Sequence, residues 1–338
     1  MEEKPVLQVK NLHTSFMTED GEIPAVQGIS FDIRPGEIVG IVGESGSGKT
    51  VTSLSIMRLL PVPPAKIKQG EILLEGRDIL PFPEGKMRRI RGNKIAMIFQ
   101  EPMTSLNPLF TIGNQLMEPV RIHMRLPKRR AYERAIEMLK LVGLPRAEDL
   151  MAAYPHELSG GMRQRVMIAM ALICDPKVLI ADEPTTALDV TIQAQILQLM
   201  KEINEKLNTA ILFITHDLGV VAEICHRVIV MYAGKIVEEG DVRTVFKNPL
   251  HPYTKGLLQS IPDLRTKKRR LYSIPGTVPR PGTVKNGCPF HDRCPCRMAV
   301  CSDEIPPVFE QNTGHRVNCW LYGKEGVADG GSSAVIRP

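Results

Sequence analysis

The sequence predicts an α/β fold in which helices alternate with the strands of a buried, mostly parallel sheet. Three continuous apolar runs, Ile38–Val42, Val178–Ala181 and Ala210–Thr215, have the composition of strands that are buried on both faces. Between the last two lies a strongly periodic helix, whose apolar positions are Ile192, Ile196, Leu199 and Ile203. Strands and helices that alternate in this way favour a parallel sheet connected by crossovers.

The bulk composition is that of an ordinary soluble protein with a sizeable core. At 338 residues, 43% hydrophobic and 24% charged, the chain has room for two domains or one large one. The net charge of +6 fits a protein that lies against an anionic membrane face, touches nucleic acid, or does neither. No apolar run approaches the ~18 residues of a membrane helix, and Met1–Pro5 lacks a signal peptide's apolar core. We therefore expect a cytoplasmic protein whose membrane role comes through partner subunits.

Strands dominate the first third of the chain. Residues from Val6 to about Glu37 are predicted to form short strands joined by turns. The strand Ile38–Val42 leads into a glycine-rich loop, and a helix is expected from about Lys49 to Leu60. A hairpin is predicted between Gly70 and Ile79, and Lys94–Phe99 is another apolar strand.

The middle of the chain is predicted to be a helical insertion, over about residues 101–170. From Glu101 to about Tyr154 helical patterns and prolines replace the strand pattern, with Arg130–Val142 the clearest amphipathic helix. The strand pattern then resumes, and Val228–Tyr232 with Lys235–Glu239 predicts a hairpin through Ala233-Gly234. We assign residues 1–258 to one domain that contains this insertion.

The composition changes after Leu258, and we assign residues 259–321 to a small, loop-rich extension. It begins with the basic run Arg265–Arg270, for which a solvated linker is a better interpretation than a lipid or nucleic-acid contact. Five of the seven cysteines fall between Cys288 and Cys319, a clustering that in a cytosolic protein indicates a metal site rather than disulfides. Residues 322–338 are predicted to be a disordered tail.

The glycine-rich loop matches the phosphate-loop pattern G-x-x-x-x-G-K-S/T in full, and a strand before it with a helix after it is the context that the pattern requires. Its glycines let backbone amides close around phosphates, Lys49 adds a positive charge, and the Thr50 hydroxyl is placed for Mg²⁺. The predicted nucleotide-binding residues of this segment are Gly43, Ser45, Gly46, Ser47, Gly48, Lys49, Thr50 and Val51.

Two further motifs follow in order. Leu158–Arg165 places Ser159, Gly160 and Gly161 at the start of a helix, where uncovered amides and the helix dipole favour an anion. The strand Val178–Ala181 then ends in Asp182-Glu183. Together with the phosphate loop, these motifs resemble the nucleotide-binding domain of ABC (ATP-binding cassette) proteins. The resemblance implies an ABC-type P-loop fold with a RecA-like core sheet, an N-terminal antiparallel β part and an inserted helical subdomain.

The resemblance also implies roles for individual residues in ATP hydrolysis. Asp182 holds Mg²⁺ through water, and Glu183 is the general base, although neighbouring carboxylates at a strand end can also serve only solvation. Gln100 corresponds to the glutamine that senses Mg²⁺ and the attacking water, and His216 to the histidine that contacts the γ-phosphate. Asp189, which ends the segment Pro184–Asp189, belongs to the dimer-contact loop.

Two implied features of the ATP site depend on residues distant in the chain. Family members stack adenine on an aromatic ring upstream of the phosphate loop, for which Phe16 is the best candidate and Phe31 the rival. Ser159, Gly160 and Gly161 close over the ATP of a second copy in the family, so each site is completed in trans.

Two further pairs of stretches indicate which group of ABC proteins the chain resembles. Gln100–Pro108 with Thr111–Gly113, and His251–Thr254 with Ile274–Pro279, resemble segments of dipeptide/oligopeptide importers, and nickel-importing relatives share much of this pattern. The resemblance implies a peripheral ATPase on the cytoplasmic face of the cell membrane that powers import of di- or oligopeptides. Its partners would be a second ATPase subunit, two transmembrane permeases and, indirectly, an extracytoplasmic peptide-binding protein. The segment Glu101–Pro108 would dock a permease, with Met103 and Leu106 as the residues that couple transport to ATP hydrolysis. No nucleic-acid partner is expected. The alternatives are an ATPase for nickel or another small cargo, and a soluble iron–sulfur ABC ATPase acting on ribosomes or nucleic acid.

The remaining prediction concerns Cys288, Cys294, Cys301 and Cys319, spaced C-x5-C-x6-C-x17-C, with Cys296 as a fifth thiol. Four thiolates suit zinc or an iron–sulfur cluster. Zinc sites favour cysteine pairs two to four residues apart, so the wide spacing here favours a cubane cluster, with zinc and free thiols as alternatives. The importer group that this tail resembles has members with a 4Fe–4S cluster. We therefore expect such a cluster, in a structural role, on these four cysteines without Cys296, although Cys296 could replace Cys294.

Overall fold

Two β-sheets, one antiparallel and one mostly parallel, form the frame of the molecule. A computed structural model describes residues 4–19, 21–99, 106–186, 189–261, 272–284 and 286–323. The predicted α/β fold class is confirmed within these residues. Gln100 and the segment 101–105, which includes Met103, lie outside them, as do Ala187, Leu188 and the basic run.

The larger sheet has the strand order β11-β12-β10-β9-β3-β8-β7-β6. Its parallel part contains the strands predicted from apolar runs: β3 (Ile38–Val42), β6 (Ile95–Ile98), β7 (Val178–Asp182), β8 (Ala210–Ile214) and β9 (Arg227–Tyr232). Every residue of β3, β7 and β8 is buried. Because parallel strands end at the same edge of a sheet, the segments that follow β3, β7 and β8 meet at one place.

The antiparallel sheet has the order β2-β1-β4-β5. Its strands are β1 (Leu7–Thr18), β2 (Gly21–Ile33), β4 (Ala65–Leu74) and β5 (Arg77–Asp78). The expectation of several short strands before Glu37 is wrong, because β1 and β2 are 12 and 13 residues long. Register shifts along β1, for example between Val9 and Leu12, interrupt the alternation of apolar and polar residues, which made the strands look shorter.

Helices cover the sheet and form the inserted region. Those outside the insertion are α1 (Lys49–Met57), α2 (Glu84–Ile90), α7 (Val190–Leu207) and α8 (Leu218–Ile224). Between β6 and β7 lie α3 (Ile112–Pro119), a π-helix (Val120–Met124), α4 (Lys128–Leu141), α5 (Ala147–Leu150), a 3-10 turn (Pro155–Glu157) and α6 (Gly160–Leu172). One apolar cluster, with Leu139, Val166 and Phe213 fully buried, joins this region to the sheet. None of the helices described has both the length and the hydropathy that a membrane span requires.

The C-terminal extension continues the larger sheet instead of forming a separate layer. The last elements are β10 (Lys235–Asp241), α9 (Val242–Lys247), α10 (Pro252–Gln259), a 3-10 turn (His291–Arg293), α11 (Val300–Asp303), β11 (Phe309–Asn312), β12 (His315–Val317) and a 3-10 turn (Trp320–Tyr322). Strand β12 pairs with β10, placing Val317 opposite Glu238. There the buried side chains of His315 and Glu238 are bonded, with Nε2 and Oε1 2.9 Å apart. The extension is thus anchored on the sheet that carries the phosphate loop.

Candidate functional site at the phosphate loop

The phosphate loop connects β3 to α1 in a conformation that only glycine adopts easily. Gly43, Gly46 and Gly48 have φ angles of 155°, 79° and 99°. A Cβ on Gly43 would lie 2.2 Å from the Met231 carbonyl oxygen, and one on Gly48 would lie 2.7 Å from that of Ala25. The backbone is therefore tightly wound between β9 and β2, which keeps the loop in one shape.

Lys49 lies across this loop. Its side chain is buried, and Nζ donates to the Gly43 and Glu44 carbonyl oxygens at 2.8 and 3.0 Å. Burial lowers the pKa of Lys49, and the carboxylates of Glu183, Asp182 and Glu44 oppose that shift. The ammonium is thus held beside the loop amides, among acidic groups, where it can meet a polyphosphate.

Asp182 is brought next to Thr50, as the two predicted Mg²⁺ residues require. Thr50 Oγ1 donates to Asp182 Oδ1 (3.3 Å) and Ser53 Oγ to Asp182 Oδ2 (3.1 Å). Burial raises the pKa of Asp182, partly offset by these two hydrogen bonds. The paired hydroxyl and carboxylate oxygens are ligands of the kind that Mg²⁺ prefers. Sequence reasoning missed Ser53, although it stands one helical turn after Thr50 and so on the same face of α1.

Glu183 and His216 are in contact. His216 Nδ1 lies 3.1 Å from Glu183 Oε1, and Thr186 Oγ1 donates to Glu183 Oε2 at 2.9 Å. Burial alone would raise the pKa of Glu183, but the bonds from His216 and Thr186 outweigh it and hold the pKa below its usual value. Glu183 also has a φ of 48°, which is uncommon outside glycine and occurs often at functional sites. Its carboxylate is therefore ionised at neutral pH, as a general base requires.

The Ser-Gly-Gly motif begins α6, as predicted. Ser159 is the N-cap, and its Oγ accepts from Met162 N at 3.3 Å. Ser159 and Gly160 are exposed, and in the part of the chain that the structure describes no atom beyond the adjoining residues and the backbone of α6 lies within 4 Å of a Cβ placed on Gly160. Further along α6, the buried Gln164 donates through Nε2 to the Pro184 carbonyl oxygen, a link to the segment after Glu183 that the motif alone did not reveal.

Asp189 and Phe16 occupy different surroundings. Asp189 caps α7, with Oδ1 accepting from Ile192 N at 2.9 Å, and it is exposed. Phe16 lies on β1 and is half-buried, whereas its rival Phe31 is only 4% exposed in the core. Of the two rings, Phe16 therefore has the face that is free to stack on a base. Val51 follows Thr50 in α1 and packs against the apolar core of the antiparallel sheet.

An apolar groove of 1310 Å³ lies between the end of β6 and the inserted helices. Phe99, Phe110 and Ile122 line it and are 42%, 52% and 62% exposed. Leu106, predicted as a docking residue, is only 3% exposed and packs in the core, so it presents no surface to a partner. Its exposed neighbours Leu109 and Phe110 are better placed for such a contact.

The predicted metal site in the extension is not supported by the placement of its side chains. Cys288, Cys301 and Cys319 are buried and Cys294 is half-buried, whereas Cys296 is exposed. Within the residues described, no three His, Cys, Asp or Glu side chains are arranged to hold a metal ion. The thiols are nevertheless neighbours. Burial raises the pKa of Cys288 and Cys294 to about 11 and that of Cys319 to about 12, and repulsion between the thiolates adds to the shift.

Comparison with known families identifies two regions. Residues 26–186 match the family model for ABC transporters, and residues 237–301 match that for the C-terminal region of oligopeptide/dipeptide transporters. The first match contains the phosphate loop, α6 and Glu183. The second begins in β10 and reaches Cys301, but it stops before Cys319.

Individual relatives agree with the family models. The chain is 54% identical to the oligopeptide transport ATP-binding protein AppD of Bacillus subtilis, over 95% of this chain and 98% of that one. It is 53% identical to the dipeptide transport ATP-binding protein DppD of the same organism, over 94% of each chain. Among solved structures, the chain resembles the dimeric ATP-binding cassette MJ0796, which is bound to ADP and Pi in a post-hydrolysis state. The two sequences are 30% identical and the TM-score is 0.63, over 70% of this chain and 99% of that chain. The chain has a tightly wound phosphate loop beside an ionised glutamate, and it matches such relatives along nearly its whole length. It therefore belongs to the ABC transporter ATP-binding proteins, in their oligopeptide/dipeptide group.

Proposed function

We propose that this chain is the ATP-hydrolysing subunit of an ABC importer for di- or oligopeptides. The observation that carries the proposal is that the phosphate loop and the region typical of peptide transporters belong to one β-sheet. The phosphate loop follows β3 inside the larger sheet, and the region that matches the oligopeptide/dipeptide C-terminal model begins in β10 of the same sheet. The relatives named for oligopeptide and dipeptide transport support peptide as the cargo.

The residues of the site have distinct tasks in this proposal. The loop amides and Lys49 bind the phosphates of ATP, and Phe16 stacks on adenine. Thr50 and Asp182 hold Mg²⁺, which neutralises charge on the phosphates when bound, and Gln100 assists as a sensor of the metal and the water. Glu183 takes a proton from the attacking water, while His216 orients that carboxylate and contacts the γ-phosphate.

A second ATPase subunit completes the site. Ser159, Gly160 and Gly161 begin α6, and Ser159 and Gly160 are exposed there, which suits a phosphate carried by another subunit. Asp189, exposed at the start of α7, contributes to the same contact. The dimeric form of the MJ0796 cassette supports this arrangement.

The groove beside Phe99, Phe110 and Ile122 is the docking surface for a transmembrane permease. Exposed large apolar side chains grouped in one groove suit a partner contact, and this groove lies next to Gln100 in the chain. Two permeases, one for each ATPase subunit, hold the protein on the cytoplasmic face of the cell membrane. The extracytoplasmic peptide-binding protein acts through the permeases and does not touch this chain.

We also propose that Cys288, Cys294, Cys301 and Cys319 bind a 4Fe–4S cluster. The four sulfur donors support it, and Cys288, Cys294 and Cys301 lie near enough to Cys319 to affect its pKa. The side chains must turn toward one another, and the thiols must lose their protons on binding. Protein purified without oxygen should contain about four irons per chain, and replacing the four cysteines with serine should remove them, whereas Cys296→Ser should not. One tightly held zinc, or no metal, would refute the cluster.

Reconstitution with the permeases tests the transport function. Vesicles that contain the complete complex should accumulate peptide only with ATP inside and with the peptide-binding protein outside. Leu109→Ser with Phe110→Ser should lower peptide uptake while leaving the ATP affinity of the isolated chain unchanged, because these residues lie outside the ATP site. ATP-driven uptake of nickel chelates but not of peptides would refute the peptide assignment.

A further inference from the structure

The C-terminal extension reaches the phosphate loop through one buried arginine. Arg293 closes the 3-10 turn His291–Arg293, and its side chain is only 5% exposed. Its Nη1 donates to Glu44 Oε2 at 2.7 Å and its Nη2 to Glu44 Oε1 at 3.1 Å. Glu44 is the second residue of the phosphate-loop motif. Two parallel bonds between a guanidinium and a carboxylate form a strong and directional ion pair.

Further hydrogen bonds hold the guanidinium of Arg293 in this position. Nε donates to the Pro275 carbonyl oxygen (2.9 Å) and Nη2 to that of Ile274 (3.2 Å). Nη1 also lies 3.2 Å from the Tyr232 hydroxyl, at the end of β9. Because the planar guanidinium uses a fixed fork of donors, these contacts preset the direction in which it meets Glu44. A lysine offers no such fork.

The backbone of Glu44 is held by a second group. Glu44 N donates to the hydroxyl of Tyr253 (2.8 Å), a fully buried residue of α10. The Tyr253 ring packs on those of Tyr232 and Phe290, with centroids 4.6 and 5.4 Å away. Phe290 belongs to the extension, so the side chain and the main chain of Glu44 are both held by one packed aromatic cluster.

Glu44 is an unusual residue to place beside a phosphate site. It lies in the same loop as Lys49, whose Nζ donates to the Glu44 carbonyl oxygen (3.0 Å), so its negative charge also acts on any phosphate bound there. An unpaired carboxylate at this position repels ATP. Arg293 neutralises the carboxylate by donating to both of its oxygens.

We propose that Arg293 is a positioning residue of the ATP site, through which the extension fixes and neutralises Glu44 of the phosphate loop. ATP affinity then depends on the docking of residues 274–293, and any change that lifts this segment weakens ATP binding. The inference rests on ATP binding at this loop, and it is independent of the cargo.

The test measures ATP affinity of the full chain in EDTA, where binding proceeds without hydrolysis. Arg293→Gln leaves the Glu44 carboxylate unpaired and should weaken ATP binding at least about tenfold. Glu44→Gln removes the charge that needs a partner and should stay within about threefold of wild type. The double variant should recover to within about threefold as well, since neither the charge nor its partner remains.

Controls separate this effect from simple unfolding. Arg280→Gln, at an exposed position of the same extension, removes an equal charge and should leave ATP affinity unchanged. Trp320, the only tryptophan, donates to the Glu304 carbonyl oxygen within the extension (3.0 Å), so its fluorescence reports whether the extension is folded. If Arg293→Gln does not fold, Arg293→Lys replaces it, and a roughly threefold loss of ATP affinity is expected because the fork is lost.

Several outcomes overturn the inference. A folded Arg293→Gln or Arg293→Lys that binds ATP like wild type would show that the loop does not need the pair. A double variant that binds ATP as weakly as Arg293→Gln would show a general structural role instead of charge compensation. Failure of the wild-type chain to bind ATP would refute the ATP site itself, whereas failure of peptide transport would leave this inference intact.

Discussion

The edge of the larger sheet formed by the carboxyl ends of its parallel strands, where the phosphate loop lies, presents backbone amides, and so does the N-terminus of α6. The two regions differ in their surroundings. At the sheet edge each functional side chain already has partners: Lys49 bonds to loop carbonyls, Thr50 to Asp182, and His216 to Glu183. At the start of α6, the Ser159 hydroxyl accepts from Met162 N in its own first turn, and among the residues described nothing lies beside a Cβ placed on Gly160. One region is thus a preorganised half-site for nucleotide, and the other, in the function that we propose, receives a phosphate that another subunit holds.

This difference has a chemical consequence. Preorganised donors contribute most to catalysis when they surround the charge that develops in the transition state. A single chain surrounds the phosphates on one side only. The isolated chain is therefore expected to bind ATP well and to hydrolyse it slowly, and substitutions in the two regions should affect different measurements.

The largest expected effect is at the sheet edge. Lys49→Ala removes the buried ammonium from the loop and should weaken ATP binding at least about a hundredfold, since a charge-assisted contact to phosphate is lost. Calorimetric titration of the isolated chain with ATP measures this directly. Lys255→Ala, an exposed lysine of α10, is the matched control and should bind ATP like wild type. Unchanged affinity in Lys49→Ala would place the nucleotide elsewhere.

Glu183→Gln should separate binding from chemistry within the same half-site. The amide keeps the shape of the side chain but cannot accept a proton, so ATP affinity should persist while turnover falls about 10²–10⁴-fold. Phosphate release by the assembled complex, measured beside ATP titration of the isolated chain, gives both quantities. Turnover near the wild-type rate would exclude Glu183 as the base.

The pH dependence of turnover should depend on His216. The hydrogen bond from His216 lowers the pKa of Glu183, so its loss raises that pKa. The base then becomes protonated at higher pH, and the acid limb of the kcat profile should move to higher pH in His216→Ala. If His216→Ala lowers kcat equally at every pH, the histidine acts on the phosphate alone and does not tune the base.

The smallest effect is expected at Ser53. Ser53→Ala removes one of the two hydroxyl bonds to Asp182 and should raise the Mg²⁺ concentration for half-maximal turnover by a few fold, consistent with ~1 kcal/mol for one hydrogen bond. Thr52→Ala changes a neighbouring hydroxyl that bonds instead to the Gly48 carbonyl oxygen and serves as the control. Equal Mg²⁺ dependence in wild type and Ser53→Ala would show that this bond does not position Asp182.

Much of the half-site was predictable from the sequence, for a physical reason. Buried parallel strands are apolar throughout, so β3, β7 and β8 stand out, and the residues that follow them must meet at one edge. The loop motif then fixes where phosphate binds. Ser53 was within reach of the same reasoning, because helical spacing relates it to Thr50.

The docking of the extension was not predictable in this way. Arg293 and Glu44 are 249 residues apart, and no periodic pattern relates two charged residues at such a distance. The pairing of β12 with β10 likewise depends on three residues, His315–Val317, too few to show a strand pattern. Long β1 and β2 were misjudged because bulges interrupt their alternation. In each case tertiary contacts, which local sequence does not encode, decided the structure.

The claim that the two regions act on different ATP molecules is tested most directly by Ser159→Arg. The arginine side chain fills the space that the exposed start of α6 keeps open for a second subunit, yet it lies outside the phosphate loop of its own chain. ATP titration at low protein concentration should give wild-type affinity, whereas the ATPase rate of the assembled complex should fall at least about tenfold, since donors to the partner's phosphate are blocked. A loss of ATP affinity in the isolated variant as large as that of Lys49→Ala would contradict the account.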